Sequence, residues 1–111
     1  MTPEGKIKRM IKKYLDTLPP NRVEVFMEVP SGFGKSQLDY TICLAGRFVA
    51  IEAKAAGKYL TARQLQTTRR IIETGGNVFV ISGAEGLASF QRWAERWLET
   101  VHSADSHYLQ R

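Results

Sequence analysis

The stretch GRFVAIEAK, residues 46–54, decides how this chain is interpreted. Its apolar residues from Phe48 to Ile51 are typical of a buried β-strand. Glu52 and Lys54 then follow with no turn signal before them. Because side chains alternate between the two faces of a strand, both charges should lie on the face of Phe48, which we expect to be packed. A buried strand that ends with an acid and a base on its packed face needs an explanation.

Composition limits the classes of protein to which the chain can belong. Its 111 residues predict one domain, over residues 1–102, followed by a flexible polar tail over 103–111. The net charge of +5 favours an anionic partner such as nucleic acid. No apolar run is long enough for a membrane span, and Cys43 is the only cysteine, so no internal disulfide can form. We therefore expect a cytoplasmic protein without membrane contacts, in which Cys43 is a small buried residue.

Apolar periodicity and turn signals predict seven elements in the order αβββαβα. A strand meander followed by a helical crossover to a fourth strand predicts an α/β domain with a mixed four-stranded sheet, flanked by helices. The predicted elements are a helix from Thr2 to Leu18, strands over 23–29, 37–44 and 47–54, a helix from Thr61 to Gly75, a strand over 77–81 and a helix that begins after Ser82.

The hairpin around Ala45 and Gly46 predicts a partner for Glu52. If these two residues form the turn, or the centre of a four-residue loop, Asp39 lies directly opposite Glu52 on the same face. A three-residue loop or a bulge would shift this register. Two opposed, partly buried carboxylates repel each other, and a divalent cation between them removes the repulsion. Oxygen ligands of this kind suit Mg²⁺ or Mn²⁺.

Three further residues can complete such a site. Lys54 is a compact cation that could orient a water and stabilise negative charge growing on phosphorus. Glu4 lies on the same side of its helix as Ile11, although an acid in the first turn also complements the helix dipole. Gln64 fits a capping box, and that role alone could account for it. The simplest alternative is that Glu52 and Lys54 mark a frayed strand end and pair with each other or with Asp39.

The segment GFGKSQLDYTICLAGRFVAIEAKAAGKYLTARQLQ, residues 32–66, resembles the PD-(D/E)XK nuclease superfamily, and within it the VRR-NUC branch of viral-type replication and repair nucleases. The resemblance is carried by Asp39, by Glu52-Ala53-Lys54 at the end of a hairpin strand, and by a following helix with Gln64. The first helix with Glu4 is similar to the N-terminal acidic motif of the branch. The resemblance covers the chain to about Ile81, and Leu38 stands where the superfamily's name has a proline.

This resemblance implies a PD-(D/E)XK (restriction-endonuclease-like) core and hydrolysis of DNA phosphodiesters that depends on Mg²⁺ or Mn²⁺. It also implies that Lys54 positions the attacking water and that Gln64 holds the site or the DNA backbone. Small stand-alone members of the branch are similar to Holliday-junction resolvases that act as homodimers. We therefore expect a structure-selective DNA endonuclease, encoded by a bacterium or phage. The implied metal ligands are Asp39, Glu52, the Ala53 backbone carbonyl and Glu4.

Basic residues near the predicted site are candidates for contacts with DNA phosphates: Lys8, Lys12, Lys35, Lys58 and Arg63. Gly34-Lys35-Ser36 also resembles the end of a Walker A motif, but Val29 stands where that motif needs its first glycine. Two other functions remain open: a flap or duplex-end nuclease with the same site, and a DNA-binding module without catalysis. A binding module has no use for Asp39, Glu52 and Lys54 together.

Overall fold

The computed structural model describes residues 1–27 and 37–108, with side chains to residue 101. Four strands form one sheet in the order β1-β2-β3-β4, in which β4 is parallel to β3 and the other pairs are antiparallel. The predicted α/β class, element order and mixed sheet are therefore confirmed. The elements are α1 (Pro3–Leu15), β1 (Val23–Met27), β2 (Tyr40–Leu44), β3 (Arg47–Ala53), α2 (Ala62–Glu73), β4 (Asn77–Ile81) and α3 (Ala84–Tyr108).

Some element ends differ from the sequence prediction. Helix α1 ends at Leu15 rather than Leu18, because the amides of Thr17 and Leu18 bond to carbonyls three residues back and tighten the chain into a turn. Strand β2 begins at Tyr40 rather than at residue 37. The backbone of α3 stays helical to Tyr108, past the predicted start of the tail. The predicted end of β1 at residue 29 lies outside the described residues.

The β2–β3 hairpin has the predicted register. Leu44 pairs with Arg47 and Tyr40 pairs with Ile51, so the turn consists of Ala45 and Gly46 alone. Both turn residues have positive φ angles, 47° and 88°, which matches the two-residue turn whose twist suits a hairpin. This turn fixes which residues face each other along the whole hairpin.

One face of the sheet, packed against α1 and α3, carries the hydrophobic core. Alternate residues of the strands point to this side, and Ile11 and Phe90 from the two helices contact them with no exposed surface. In the described part of the chain, no helix is both long and apolar enough to cross a membrane. The buried core residues are Ile11, Leu15, Tyr40, Ile42, Leu44, Val49, Ile51, Ala53, Ile81, Leu87, Phe90 and Ala94.

The other face of the sheet, on the side of α2, is only partly covered. Ala50 and Glu52 are buried there, but Phe48 is 49% exposed and Phe26 is 55% exposed. Cys43, which pairs with Phe48, is exposed as well. The predictions that Phe48 lies on a packed surface and that Cys43 is buried were therefore wrong. The coverage by α2 includes the end of β3 that carries Glu52 but not the hairpin end.

Helix α2 is fixed at both of its ends. A capping box at Thr61 begins it, as predicted. At the other end, the amides of Gly75 and Gly76 bond to the carbonyls of Ile72 and Ile71, at 3.0 and 2.8 Å. Gly75 has a φ angle of 93°, and a Cβ atom on Gly76 would lie 2.6 Å from the Ile71 side chain, so both positions favour glycine. These constraints set the position of α2 over Glu52.

Candidate active site

Asp39 and Glu52 interlock the ends of β2 and β3. The backbone amide of Asp39 donates a 3.0 Å hydrogen bond to Glu52 Oε1. In return, the backbone amide of Ala53 donates a 2.8 Å hydrogen bond to Asp39 Oδ2. The predicted opposition of the two carboxylates is thus present, and each is held by the backbone of the other segment. The hairpin pairing continues through side chains beyond the last backbone pair.

The two carboxylates are largely removed from water. Glu52 is 3% exposed, and the Asp39 side chain is 13% exposed. Burial, and after it the negative charge of Asp39, raise the pKa of Glu52 from 4.5 to about 7, against smaller lowering effects from the Asp39 amide and Lys54. A carboxylate with this pKa binds a proton readily, and it would bind a metal cation for the same electrostatic reason.

The second oxygen of Glu52 is held by two polar side chains. Gln64 Nε2 donates a 2.7 Å hydrogen bond to Glu52 Oε2, and Lys54 Nζ lies 3.9 Å from the same oxygen. Gln64 also accepts a hydrogen bond from the Thr61 amide through Oε1, at 2.9 Å. The capping role and the site role of Gln64 are therefore both present, one for each end of its amide group.

Lys8 joins the site from α1, between two acids. Its Nζ lies 3.4 Å from Asp39 Oδ1 and 3.8 Å from Glu4 Oε2. Glu4, whose side chain is 42% exposed, thus adjoins the site through Lys8. Lys8 was predicted only as a contact for DNA phosphates. The signal for its closer position was its spacing of four residues from Glu4, which places both side chains on one side of the helix.

The residues present could supply some, but not all, of the ligands of a divalent metal ion. Within residues 1–27 and 37–101, no group of three or more His, Cys, Asp or Glu side chains is arranged to hold a metal. Asp39 and Glu52 offer two carboxylates, and the excess of negative charge at Glu52 suits a cation. Mg²⁺ commonly keeps several waters and binds one or two carboxylates together with substrate phosphates. The Ala53 carbonyl and Glu4 stay predictions as ligands.

The other basic candidates that the structure describes are exposed, and none of them forms an ion pair with Asp39 or Glu52. Lys58 and Arg63 are exposed, and Lys12 is exposed and forms a 3.1 Å ion pair with Asp16. Lys35 lies outside the described residues. A cavity of about 520 Å³ opens on the α2 side of the sheet, lined by Phe26, Phe48, Ile71 and others, but none of the predicted catalytic residues contributes to it. The cavity and the candidate site therefore share the α2 side of the sheet but are lined by different residues.

Comparisons with known proteins do not assign the chain to a family. No model of a protein family matches it, and no curated protein or solved structure is significantly similar to it. The function is therefore inferred from the geometry of the site.

Proposed function

We propose that this protein is a metal-dependent, structure-selective DNA endonuclease of the PD-(D/E)XK type, similar to stand-alone VRR-NUC enzymes. The observation that carries the proposal is the interlocked pair of carboxylates, Asp39 and Glu52, on which Lys54 and Gln64 converge. A frayed strand end would leave these charges in water. Here Glu52 and Lys54 are 3% and 9% exposed and lie in fixed positions, which costs stability and therefore favours a functional reason.

The side chains have distinct roles in phosphodiester hydrolysis under this proposal. Asp39 and Glu52 would hold Mg²⁺ or Mn²⁺, which, when bound, neutralises phosphate charge and makes a water more acidic. Lys54, held beside Glu52, orients the attacking water and stabilises the negative charge that grows on the phosphorane oxygens. Gln64 orients Glu52 through its 2.7 Å hydrogen bond and does not need to touch the DNA. Lys54 is the residue placed to act on the reacting atoms.

The substrate class follows from charge and size. Exposed cations close in sequence to the site residues, Lys58 after Lys54 and Arg63 beside Gln64, suit a polyanion. The chain is short for the loops and helices that read base sequence, which favours recognition of DNA shape. A homodimer with two symmetric sites would suit paired incision of a four-way junction. The alternative of a flap or duplex-end nuclease keeps the same site and differs only in the DNA it accepts.

A cleavage assay tests this proposal directly. Purified protein is incubated with labelled four-way junction, flap, single-stranded and duplex DNA, each with Mg²⁺, Mn²⁺ or EDTA. We expect metal-dependent paired nicks in the junction. Glu52→Gln should lower the rate by at least about 100-fold, as loss of a preorganised charged group does in other active sites. Glu24→Gln is the matched control, because Glu24 is an exposed acid on the same face of the sheet.

The possible results separate the candidate functions. Cleavage of flap or duplex ends instead of junctions would keep the active site and change the substrate. Binding of DNA without cleavage under any metal would contradict the catalytic proposal and support a binding module. Sedimentation of the protein with and without junction DNA tests the dimer. A dimer without DNA should have a mass of twice 12.5 kDa.

A further inference from the structure

Lys8 is held next to the carboxylate pair more closely than its place in the sequence suggests. Its amino group lies 3.4 Å from Asp39 and 3.8 Å from Glu4, and its side chain is 41% exposed. Its backbone is also fixed, because the hydroxyl of Tyr40 donates a 3.2 Å hydrogen bond to the Lys8 carbonyl. Tyr40 is the neighbour of Asp39, so this bond ties α1 to the strand end that carries the acid.

The surroundings keep the amino group of Lys8 charged. Burial alone would lower its pKa, but the charge and hydrogen bonding of Asp39, together with the charges of Glu4 and Glu52, outweigh that effect and raise the pKa of Lys8. Lys8 is therefore a permanent cation at the position where the acids of the site meet. A cation in that position interacts with any metal ion that the same acids bind.

The formal charge of the site shows what this cation does. With all groups ionised, the three acids Glu4, Asp39 and Glu52 and the two bases Lys8 and Lys54 leave a charge of −1. A divalent ion would bring the total to +1. Without Lys8 the charge before binding would be −2, and a divalent ion would neutralise it. Lys8 thus stabilises the metal-free arrangement and opposes the metal-bound one.

We propose that Lys8 is the resident counter-ion of Asp39 and Glu4, and that it lowers the affinity of the site for a divalent cation. The inference rests on the proposed metal-dependent function. It assigns Lys8 a role inside the site, besides the contact with DNA phosphate predicted from the sequence. The two roles agree, because an ammonium group that a metal ion displaces from Asp39 is then available to a phosphate oxygen.

Lys12 provides a matched control one helical turn away. It has the same charge, lies on the same helix and also pairs with an acid, but its partner is the exposed Asp16 and the contacts are 3.1 and 3.2 Å. Lys12→Met therefore removes one positive charge and one ion pair outside the carboxylate pair. Lys8→Met also removes one positive charge, together with the ion pairs to Asp39 and Glu4. Lys8→Arg keeps the charge and should therefore keep the wild-type Kd for Mn²⁺.

Isothermal titration of the full-length proteins with Mn²⁺, without DNA, tests the inference. We expect Lys8→Met to lower the Kd for Mn²⁺ about tenfold, which is the effect of one unit charge roughly 6 Å from a divalent ion at the dielectric constant of water. Lys12→Met should keep a Kd within about threefold of the wild type, because salt screens a more distant, exposed charge. Lys8→Arg should stay within the same range, because it keeps the positive charge beside Asp39. A Kd for Lys8→Met equal to or higher than that of the wild type would overturn the inference.

A second readout uses the same proteins and does not depend on the heat of binding. In EDTA, Lys8→Met should unfold at a lower temperature than Lys12→Met, because Asp39, which is largely buried, and Glu4 both lose their counter-ion. Saturating Mn²⁺ should raise its Tm by more than it raises the Tm of the wild type, as tighter binding requires. Mn²⁺ binding with equal affinities would reject the role of Lys8 and leave the nuclease proposal intact. Absence of Mn²⁺ binding in all four proteins would reject the role of Lys8, and the cleavage assay with DNA and metal together would then decide the nuclease proposal.

Discussion

The two faces of the sheet are built in opposite ways. The face toward α1 and α3 is apolar and closed, with Phe90 and Ile51 fully buried. The face toward α2 buries Glu52 and Lys54 at one end and leaves Phe48 half exposed at the other. One strand, β3, contributes to both, because its side chains alternate between the two sides. The same seven residues therefore support the core and carry the candidate chemistry.

This difference indicates how the molecule can tolerate an unfavourable site. Burial of a large apolar side chain contributes roughly 1.5–3 kcal/mol, and the core on the closed face contains ten such side chains besides Ala53 and Ala94. Burial of a carboxylate beside another carboxylate costs free energy instead. Burial on the closed face therefore offsets the cost of holding Asp39 and Glu52 together on the α2 face.

The largest expected effect is a difference in stability between two phenylalanine substitutions, one on each face of the sheet. Phe90→Ala should lower the free energy of unfolding by about 3–5 kcal/mol, because it leaves a cavity between α3 and the sheet, where Phe90 contacts the rings of Phe79 and Tyr14. Phe48→Ala should cost less than about 1 kcal/mol, because half of that side chain is already in water. Urea unfolding followed by circular dichroism measures both.

Repeating both measurements at several protein concentrations shows whether the α2 face is covered by a second copy of the chain in solution. If Phe48→Ala costs as much as Phe90→Ala, the α2 face is covered in solution, and the difference between the faces disappears. A cost for Phe48→Ala that falls as the protein is diluted would identify the cover as a second copy of the chain.

The next effect concerns pH and the charge of Glu52. Because its pKa is raised from 4.5 to about 7, folded protein binds a proton at this site over a range in which unfolded protein has already lost it. In EDTA, stability from this group should therefore be complete below about pH 4.5 and decrease as the pH rises through 7. The total decrease should be about 3 kcal/mol, because each unit of pKa difference between the folded and unfolded states corresponds to about 1.36 kcal/mol.

Glu52→Gln isolates this contribution. The variant cannot ionise, so its free energy of unfolding should fall less steeply than that of the wild type between pH 4.5 and 8. Its changed hydrogen bonds shift the whole curve, so the slope is the quantity to compare. Glu24→Gln should keep the wild-type slope, because Glu24 is exposed. Parallel curves for Glu52→Gln and the wild type would show that Glu52 is not held in the unfavourable state described.

Much of this site can be predicted from the sequence because the hairpin constrains it. A two-residue turn fixes the register, and the register places Asp39 opposite Glu52. The element order follows from periodicity in the same way. These features depend on neighbours that are close along the chain, and local patterns report such neighbours well.

Features that depend on how helices lie across the sheet could not be predicted in this way. The exposure of Phe48 and Cys43 depends on how far α2 extends over the sheet, and an alternating strand pattern does not contain that distance. The contact between Lys8 and Asp39 joins residues 31 positions apart, through the packing of α1. Helical spacing gave the side of the helix on which Lys8 lies, but not its partner.

The smallest expected effect tests whether Gln64 has one role or two. Thr61 and Gln64 share the helix cap, but only Gln64 contacts Glu52. Either change to alanine should cost about 1 kcal/mol through loss of the capping box. In a double-mutant cycle, Gln64→Ala and Glu52→Ala should show a coupling energy of about 1 kcal/mol, as expected for residues in contact, while Thr61→Ala and Glu52→Ala should be additive within about 0.5 kcal/mol.

Urea unfolding at pH 8 measures this cycle, because Glu52 is then mostly ionised and accepts its strongest hydrogen bond. At pH 5 the coupling should shrink, since a protonated carboxyl is a weaker acceptor. Equal coupling of Thr61 and Gln64 to Glu52 would mean that the link runs through the position of α2 as a whole. The hydrogen bond between Gln64 and Glu52 would then be a consequence of where α2 lies, and it would not by itself stabilise Glu52 on the α2 face.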